Sequence, residues 1–427
     1  MRDIILLAFV VIMALMTLKK PFYGVLMWCW ISYMLPHKLM WGFMIYFPIA
    51  QFVAIVFLVA FFVSNESKKI NVCAPLGWWL LFNLSMFFSA MSAYQEFGNL
   101  GSYSNAVKVQ IFSVLIYMML TSRERIEQTL WVVSLSIGYY GIKGGIFTIL
   151  TAGNLRVWGP GGGYFEGNNE LGLALLMIVP ILYYLFRVSE LKWLKYALAA
   201  AILLCLAAVL GTQSRGALVA IVAVGGFFWF KSDKKFAASI LIIIMLPIGY
   251  SMMSDRWHDR MATIVQSNEE SYDGSIKGRL NAWRAAYNMA TANVFGANFG
   301  AFNRVNFYLY APDPEDFHDA HSIYFKVLGQ QGFPGLFLFM ALWISAWRLA
   351  NKVQKMVKDR QDLMWANLLC RMLQVSFVAY ASGGLFLGLS YFDLPYHILI
   401  TICAVYILIK KELAKPLTDQ PALQGAT

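Results

Sequence analysis

The sequence predicts an all-α integral membrane protein, and three observations lead to that fold class. Of the 427 residues, 59% are hydrophobic and 13% are charged, which is about half the charged fraction of a typical soluble domain. Apolar runs long enough to cross a hydrocarbon layer about 30 Å thick recur along the chain. These runs lack the alternation of period two that marks barrel strands, so they predict helices.

Thirteen apolar runs are candidate spans, and they predict about 12 (12–13) transmembrane helices because the first two are short enough to form one re-entrant hairpin. The runs cover residues 4–18, 22–35, 43–63, 75–93, 106–121, 127–150, 171–186, 193–211, 216–230, 236–251, 323–347, 366–389 and 393–409. Basic residues cluster in alternate loops, and the positive-inside rule assigns those loops and the C-terminus to the cytoplasm. The net charge of +11 therefore reflects membrane topology, and no nucleic-acid partner is predicted.

One long polar segment interrupts the apolar runs and faces outward in this topology. It contains three of the five histidines. A membrane protein that keeps its titratable groups in one extramembrane segment is expected to act there, at the bilayer surface. The predicted parts are N-terminal transmembrane helices (1–150), transmembrane helices with short periplasmic loops (151–251), a periplasmic loop domain (252–322), C-terminal transmembrane helices (323–411) and a cytoplasmic tail (412–427).

Residues 277–293 of the polar segment have helical spacing. Leu280, Trp283, Tyr287 and Ala290 form one apolar stripe along that helix. We interpret the stripe as the face of a helix that lies on the membrane surface.

Two short outward loops carry arginines, which the positive-inside rule disfavours on that side. Arg156 lies in a glycine-rich loop, residues 156–169, whose glycines and exposed amides suit an anion. A flexible loop without a ligand explains it equally well. Arg215 lies in the tight link 212–217, and an interfacial arginine is by default a functional hypothesis. The alternative, a snorkelling arginine that anchors the helix end, is weaker on this face.

A third arginine, Arg279, follows Gly278 near the start of the predicted surface helix. Free backbone N–H groups and a guanidinium together make an anion site there. Arg284 lies further along the same helix, and a solvated charged face explains it better than a binding role.

Two histidines, His318 and His321, lie three residues apart and are flanked by Asp313, Asp316 and Asp319. The pattern is compatible with a metal site, but the proline-containing run before it does not place ligands on one helical face, and no cysteine joins it. We therefore predict no metal. A general base is favoured, since an imidazole with a pKa of about 6.5 suits proton abstraction at neutral pH. A surface position at a helix start explains His318 better than it explains His321.

Three arginines and one histidine are thus expected to converge on the outer interface. Guanidinium groups in that position favour a phosphate-bearing ligand, and the other end of that ligand can lie in the bilayer. A lipid diphosphate has both properties.

The same residues carry a resemblance to a known family. Its motifs are Thr-Gln-Ser-Arg-Gly-Ala at 212–217, Gly-Arg at 278–279, Ala-His-Ser-Ile-Tyr at 320–324 and Gly-Phe-Pro-Gly at 332–335. Over about residues 150–400 the chain resembles the O-antigen ligase/polymerase superfamily, which includes WaaL-type O-antigen ligases, Wzy-type polymerases and protein O-oligosaccharyltransferases. The amino-terminal part is similar to exosortase-associated O-glycosylation ligases.

The resemblance implies a GT-C-like glycosyltransferase that moves a glycan from undecaprenyl diphosphate to an acceptor hydroxyl, with inversion and without a metal or other cofactor. His321 would activate the acceptor hydroxyl, and Arg215 and Arg279 would hold the donor diphosphate. Many relatives have Asn after the histidine, whereas this chain has Ser322. Asp319 is a hypothesised partner that orients the imidazole. The predicted substrate-binding residues are Arg156, Ser214, Arg284, His318, Asp319 and Tyr324.

The motifs do not distinguish between three classes of acceptor. A sugar of the lipid A–core leads because no module for a protein acceptor is evident. A protein and another glycan repeat unit, as in a Wzy-type polymerase, are the alternatives. A polyprenyl-glycan transporter is less well supported, since no paired broken helices are found and Lys143 is the one mid-span charge. The expected location is the bacterial inner membrane, with the site facing the periplasm and the donor, the acceptor and membrane lipid as partners.

Overall fold

The computed structural model of the chain describes residues 1–92, 100–231, 243, 250, 253–255, 257–258 and 274–415. Within these ranges every regular element is helical. Twelve of the thirteen predicted runs coincide with helices, while the run 236–251 and most of residues 252–273 lie outside the described residues. The predicted span 43–63 begins later than expected, because a short 3-10 turn at Phe43–Ile45 and Pro48 precede the α-helix.

The described α-helices are α1 (Arg2–Lys19), α2 (Phe22–Met34), α3 (Ile49–Val63), α4 (Ala74–Ser92), α5 (Leu100–Met119), α6 (Arg123–Leu150), α7 (Asn168–Val188), α8 (Lys192–Gly211), α9 (Arg215–Lys231), α10 (Gly274–Ala292), α11 (Arg304–Tyr310), α12 (Ile323–Met356), α13 (Met364–Gly383) and α14 (Asp393–Leu413). Seven helices of the described chain are long and apolar enough to cross a membrane: α4, α6, α7, α8, α12, α13 with its flanking turns, and α14. Helices α2, α3 and α9 are apolar but shorter. The chain is thus a helical, multi-pass membrane protein, and the total of 12 or 13 spans stays a prediction.

Helices α7 and α14 form the centre of the bundle. In their apolar windows, 72% and 78% of residues are buried inside the protein, compared with 33% in α4 and α8. A helix that is apolar on all sides belongs in the core. The hydroxyl of Ser376 in α13 donates to the carbonyl of Met177 in α7 across 2.7 Å, so a buried hydrogen bond also joins α13 to this central helix. The first residues of the two central helices lie at the end of the bundle that holds the candidate residues.

Three of the loops predicted to be cytoplasmic meet at the opposite end. Arg125 forms an ion pair of 2.6 Å with Glu66, which joins the loop after α3 to the start of α6. The guanidinium of Arg123 lies over the ring of Trp365, 4.9 Å from its centroid, at the start of α13. The structure therefore gathers these basic loops on one side, as the charge pattern predicts.

Helix α12 is broken near its beginning. Gly332 has φ 67° and ψ −169°, a conformation that favours glycine, and Pro334 follows two residues later. The break makes room for the loop after α10, where the N–H of Ala297 donates to the carbonyl of Gly329 at 2.8 Å. The predicted motif at 332–335 thus lies where the loop after α10 packs against α12.

Helix α10 uses a different face from the predicted apolar stripe for packing. Ala285 and Met289 are fully buried and pack with Phe307 of α11, because small residues let the two helices approach closely. Leu280 and Tyr287 of the predicted stripe are 47% and 53% exposed. The helix therefore packs on α11 through its alanine face, while Trp283 of the stripe stacks on Phe325 of α12 and Leu280 and Tyr287 stay uncovered.

Candidate functional site

The candidate residues gather where α6, α8 and α13 end and α7, α9, α12 and α14 begin, and we call this place the site end. The side-chain amide of Asn168, the first residue of α7, donates to the backbone carbonyl of Thr212 at 2.8 Å. The hydroxyl of Tyr324 in α12 donates to the carbonyl of Ala381 in α13 at 2.9 Å. These contacts tie four helices together at the site end.

Two facing groups of residues build the site. The arginine wall consists of residues 151–167 and 212–217, and the histidine wall consists of residues 311–326. Both walls pack on the end of α13: the backbone at Gly216 lies against Phe386, and Gly384 lies against the side chain of Ile323. The predicted motifs at 212–217 and 320–324, about a hundred residues apart in sequence, are therefore neighbours in space.

The two loops of the arginine wall are joined by uncharged groups. The N–H of Val157 donates to the carbonyl of Gly211 at 2.9 Å. The side-chain amide of Gln213 donates to the carbonyl of Gly153 at 2.8 Å. These bonds join the glycine-rich loop to the 212–217 link, so the two arginine-bearing loops form one unit.

Arg215 is the first residue of α9 and is half-buried at the site end. The residue before it, Ser214, is buried, and its hydroxyl accepts a hydrogen bond from the N–H of Ala217 at 3.1 Å. That bond is an N-terminal cap, so the predicted substrate-binding hydroxyl of Ser214 already has a structural partner. Gln213 has φ 52°, a left-handed conformation that is costly for a residue with a side chain.

Arg156 has a guanidinium nitrogen without a partner. Its side chain lies over the ring of Trp158, 5.6 Å from the centroid, and in the described part of the chain its Nε is shielded from solvent with no hydrogen-bond acceptor. The surrounding loop has a defined shape, since Glu166 accepts from the N–H of Gly162 through its carboxylate and from the N–H of Gly159 through its carbonyl, both at 2.8 Å. The loop therefore has an internally hydrogen-bonded shape, and its role as an anion site stays a prediction.

In the histidine wall, His321 lies two residues before the start of α12 and has a strained backbone. Its φ is 43°, and a non-glycine residue in this region costs about 1–3 kcal/mol and often marks a functional site. The indole N–H of Trp283 in α10 donates to the carbonyl of Ala320 at 2.8 Å. Helix α10 thus holds the backbone next to the imidazole.

The environment keeps the imidazole of His321 neutral. Burial is the largest influence and lowers the pKa of His321 below its ordinary value of 6.5. The charge of Asp319 acts in the opposite direction, and the cation of Arg279 lowers the pKa again. Smaller influences come from Glu170, which raises the pKa, and from Lys326, which lowers it. A neutral imidazole at neutral pH can accept a proton, as a general base must.

Asp319 has a different partner from the one hypothesised. Its carboxylate pairs with the ammonium of Lys326 at 3.3 Å, and among the described residues no hydrogen bond joins it to the imidazole of His321. It acts on that imidazole through its charge. The neighbouring His318 pairs with Asp316 at 2.7 Å, and its ring lies against the backbone of Gly278, which explains why a residue without a side chain precedes Arg279.

The acidic loop of the histidine wall is fastened to α10 by one buried amide. Asn281 donates from Nδ2 to the carbonyls of Asp313 and Asp316, at 2.7 and 3.0 Å, and its Oδ1 accepts from the N–H of Asp313 at 2.9 Å. The described residues include no group of three or more His, Cys, Asp or Glu side chains positioned to share a metal ion.

One predicted residue lies apart from this centre, and another, Tyr324, makes a structural contact within it. Arg284 is exposed and lines an open depression of about 820 Å³ along α10, as expected of a solvated face. Tyr324 uses its hydroxyl to bind α13. Glu170 and Lys326 act on His321 but were not predicted. Their signal in the sequence was an ionisable side chain in the first turn of an apolar helix, α7 and α12 respectively.

Comparison with known families covers most of the chain. Residues 199–340, which include Arg215, Arg279 and His321, match the family described as O-antigen ligase. The chain carries an O-antigen ligase family domain. The resemblance predicted from the four motifs is confirmed at that level, and the family consists of glycosyltransferase-like enzymes of the ligase and polymerase type.

The amino-terminal half matches a different family. Residues 1–190 match a family of unknown function (DUF5935), and Arg156 lies in that segment. A comparison with curated proteins finds no match. The similarity of this part to exosortase-associated ligases stays a prediction.

Proposed function

We propose that this O-antigen ligase family protein transfers a glycan en bloc from undecaprenyl diphosphate to a hydroxyl of a lipid A–core sugar. The reaction inverts the anomeric centre, needs no metal, and takes place at the periplasmic face of the bacterial inner membrane. The observation that carries the proposal is the environment of His321. Its half-buried imidazole has a lowered pKa and lies in the electrostatic field of Arg279, inside the family-matched segment.

The proposed step moves one proton and exchanges one bond. The acceptor oxygen attacks the anomeric carbon of the first sugar, and the bond from that carbon to the diphosphate oxygen breaks. The hydroxyl proton goes to His321, and undecaprenyl diphosphate leaves with the bonding electron pair. General-base assistance of this kind contributes about 10²–10⁴-fold to the rate.

The arginines are proposed to stabilise the leaving group. Negative charge accumulates on the diphosphate as the bond breaks, and a preorganised cation in a site shielded from water stabilises it by a few kcal/mol. Arg215 and Arg279 carry this role, and the unpartnered Nε of Arg156 offers a further hydrogen bond. The site end of the bundle suits a substrate with a polar headgroup and a lipid tail, because apolar helix surfaces continue from it.

A transporter remains the competing class because of one observation, the break of α12 at Gly332. Broken helices form ion and substrate sites in transporters. Here, however, the loop after α10 fills the break through the bond between Ala297 and Gly329. The mid-span Lys143 is exposed on the surface of α6, so it does not line a path through the bundle.

The test is a cell-free transfer assay with purified protein, an undecaprenyl-diphosphate glycan and a lipid A–core acceptor, in the presence of EDTA. The native chain is compared with His321→Ala and Arg215→Ala, and Arg187→Ala at the opposite end of α7 is the matched control. We expect transfer by the native chain and the control and none by the two site variants.

Other outcomes separate the competing functions. Donor binding that depends on Arg215 without transfer to this acceptor would move the assignment to a polymerase or a protein O-oligosaccharyltransferase. Gradient-dependent movement of the donor across vesicles, with no transfer to any acceptor, would establish the transporter.

A further inference from the structure

A second cavity adjoins the candidate catalytic centre. Its volume is about 1280 Å³, and it lies among α2, α5, the glycine-rich loop, α12 and the loop before α14. Asp319 and Lys326 line it, and the charges of both side chains act on His321. The ion pair therefore separates the imidazole from a space large enough for a ligand.

The cavity lining combines aromatic faces with polar side chains. Tyr164 packs on Phe392, and Phe299 packs on Tyr391, with ring centroids 6.0 and 5.3 Å apart. Asn105, Asn303 and Arg304 contribute hydrogen-bonding groups. Aromatic rings offer an apolar face of fixed geometry, which suits the C–H face of a pyranose. The amides and charged groups suit its hydroxyls.

One buried acid in this lining has no cationic partner. Asp393, the first residue of α14, is 3% exposed and lines the cavity. In the described part of the chain it takes part in no ion pair and accepts no hydrogen bond from another side chain, and its own backbone N–H is its hydrogen-bond donor. An acid in a first helical turn interacts favourably with the helix dipole, which gives Asp393 a structural role. Burial of an unpaired carboxylate is nonetheless costly, and a ligand with hydroxyl donors would offset that cost.

We propose that this cavity binds a pyranose of the glycan substrate and that Asp393 determines its specificity by accepting hydrogen bonds from two neighbouring hydroxyls. The inference rests on the proposed function, which supplies the substrate class. The sugar comes either from the donor glycan or from the acceptor, and both sources present the same chemistry. The ion pair of Asp319 and Lys326 would then lie between the bound sugar and His321.

The test measures sugar binding separately from transfer. Two probes are titrated into the purified full-length protein: the glycan released by mild acid from the lipid-linked donor, and the free core oligosaccharide. Saturation-transfer NMR reports binding. The variants are Asp393→Asn, which keeps the shape and the helix start, and Tyr164→Ala, which removes a partly exposed aromatic face. Asp362→Asn is the control, since Asp362 is an exposed acid near the opposite end of α13.

We expect one probe to bind, and we expect Asp393→Asn and Tyr164→Ala each to weaken that binding at least tenfold while Asp362→Asn leaves it unchanged. The probe that binds identifies the source of the sugar.

A purely structural role of Asp393 would lower the thermal stability of Asp393→Asn without changing its affinity for the probe, and would overturn the proposal. Transfer by native protein that binds neither probe would also overturn it and leave the proposed function intact. Binding that depends on Asp393 without any transfer would support the sugar site and contradict the proposed function.

Discussion

The two walls of the site are built in different ways. The arginine wall is joined by backbone groups and one amide, through the bonds of Val157 and Gln213. The histidine wall places one imidazole, that of His321, within electrostatic reach of charged groups of the wall itself, of α7 and of α10. These neutral hydrogen bonds fix the two arginine-bearing loops relative to each other, and stabilisation of a leaving anion requires cations on such a preorganised framework. A mixture of charges tunes a pKa, which is what proton transfer requires.

Both walls share one backbone feature. Gln213 has φ 52° and His321 has φ 43°, so each motif contains a left-handed residue other than glycine. Such strain persists only where surrounding contacts impose it. In the arginine wall the side chain of Gln213 imposes it locally, whereas in the histidine wall the constraint comes from Trp283 on another helix. The geometry of the imidazole therefore depends on helix α10, which carries Trp283.

The largest effect is expected from the histidine wall itself. His321→Ala removes the proposed base and should lower kcat by about 10²–10⁴-fold. His318→Ala removes a partly exposed imidazole that pairs with Asp316 and should lower kcat far less. The measurement is the transfer rate at saturating donor for both variants. Equal losses would mean that the two histidines act together and that the wall has no single base.

A somewhat smaller effect is expected from the arginine wall. Arg215→Lys keeps the charge but loses the planar fork that binds a diphosphate with two parallel hydrogen bonds, so kcat should fall by about 10²-fold. Arg156→Lys should lower kcat less, because the guanidinium of Arg156 already contacts the ring face of Trp158 and is less available to the diphosphate. Arg187→Lys, on the surface of α7, is the control. A larger loss for Arg156 than for Arg215 would reverse their assigned roles.

The helices and the family could be predicted from the sequence, because spans of apolar residues and short motifs are local. All twelve runs that fall within the described residues are helical, and the motifs around Arg215 and His321 meet at the site end. The partner of Asp319 could not be predicted, because Lys326 reaches it only through the loop geometry before α12. Glu170 was missed for a similar reason: its effect on His321 requires α7 and α12 to begin side by side.

The charges around His321 on neighbouring helices predict opposite shifts in pH dependence. The neutral imidazole is the active form, so activity should be lost as the pH falls through the pKa of His321, which lies below 6.5. Arg279→Gln removes a cation that lowers this pKa, so the acidic limb should move to higher pH. Glu170→Gln removes an anion that raises it, so the limb should move to lower pH. The profile of kcat at saturating donor measures both shifts, and shifts in the same direction would contradict the assignment of the base.

The smallest effect is expected where α10 holds the histidine wall. Trp283→Phe removes the hydrogen bond to the carbonyl of Ala320 but keeps the stack on Phe325, whose ring lies 4.6 Å away and nearly parallel. Loss of one such bond costs about 1 kcal/mol, so kcat should fall about fivefold while KM for the donor stays unchanged. Trp193→Phe, an exposed indole at the start of α8, is the control. A change in donor KM instead of kcat would mean that α10 holds the diphosphate rather than the imidazole, and Arg279 would then belong functionally with the arginine wall.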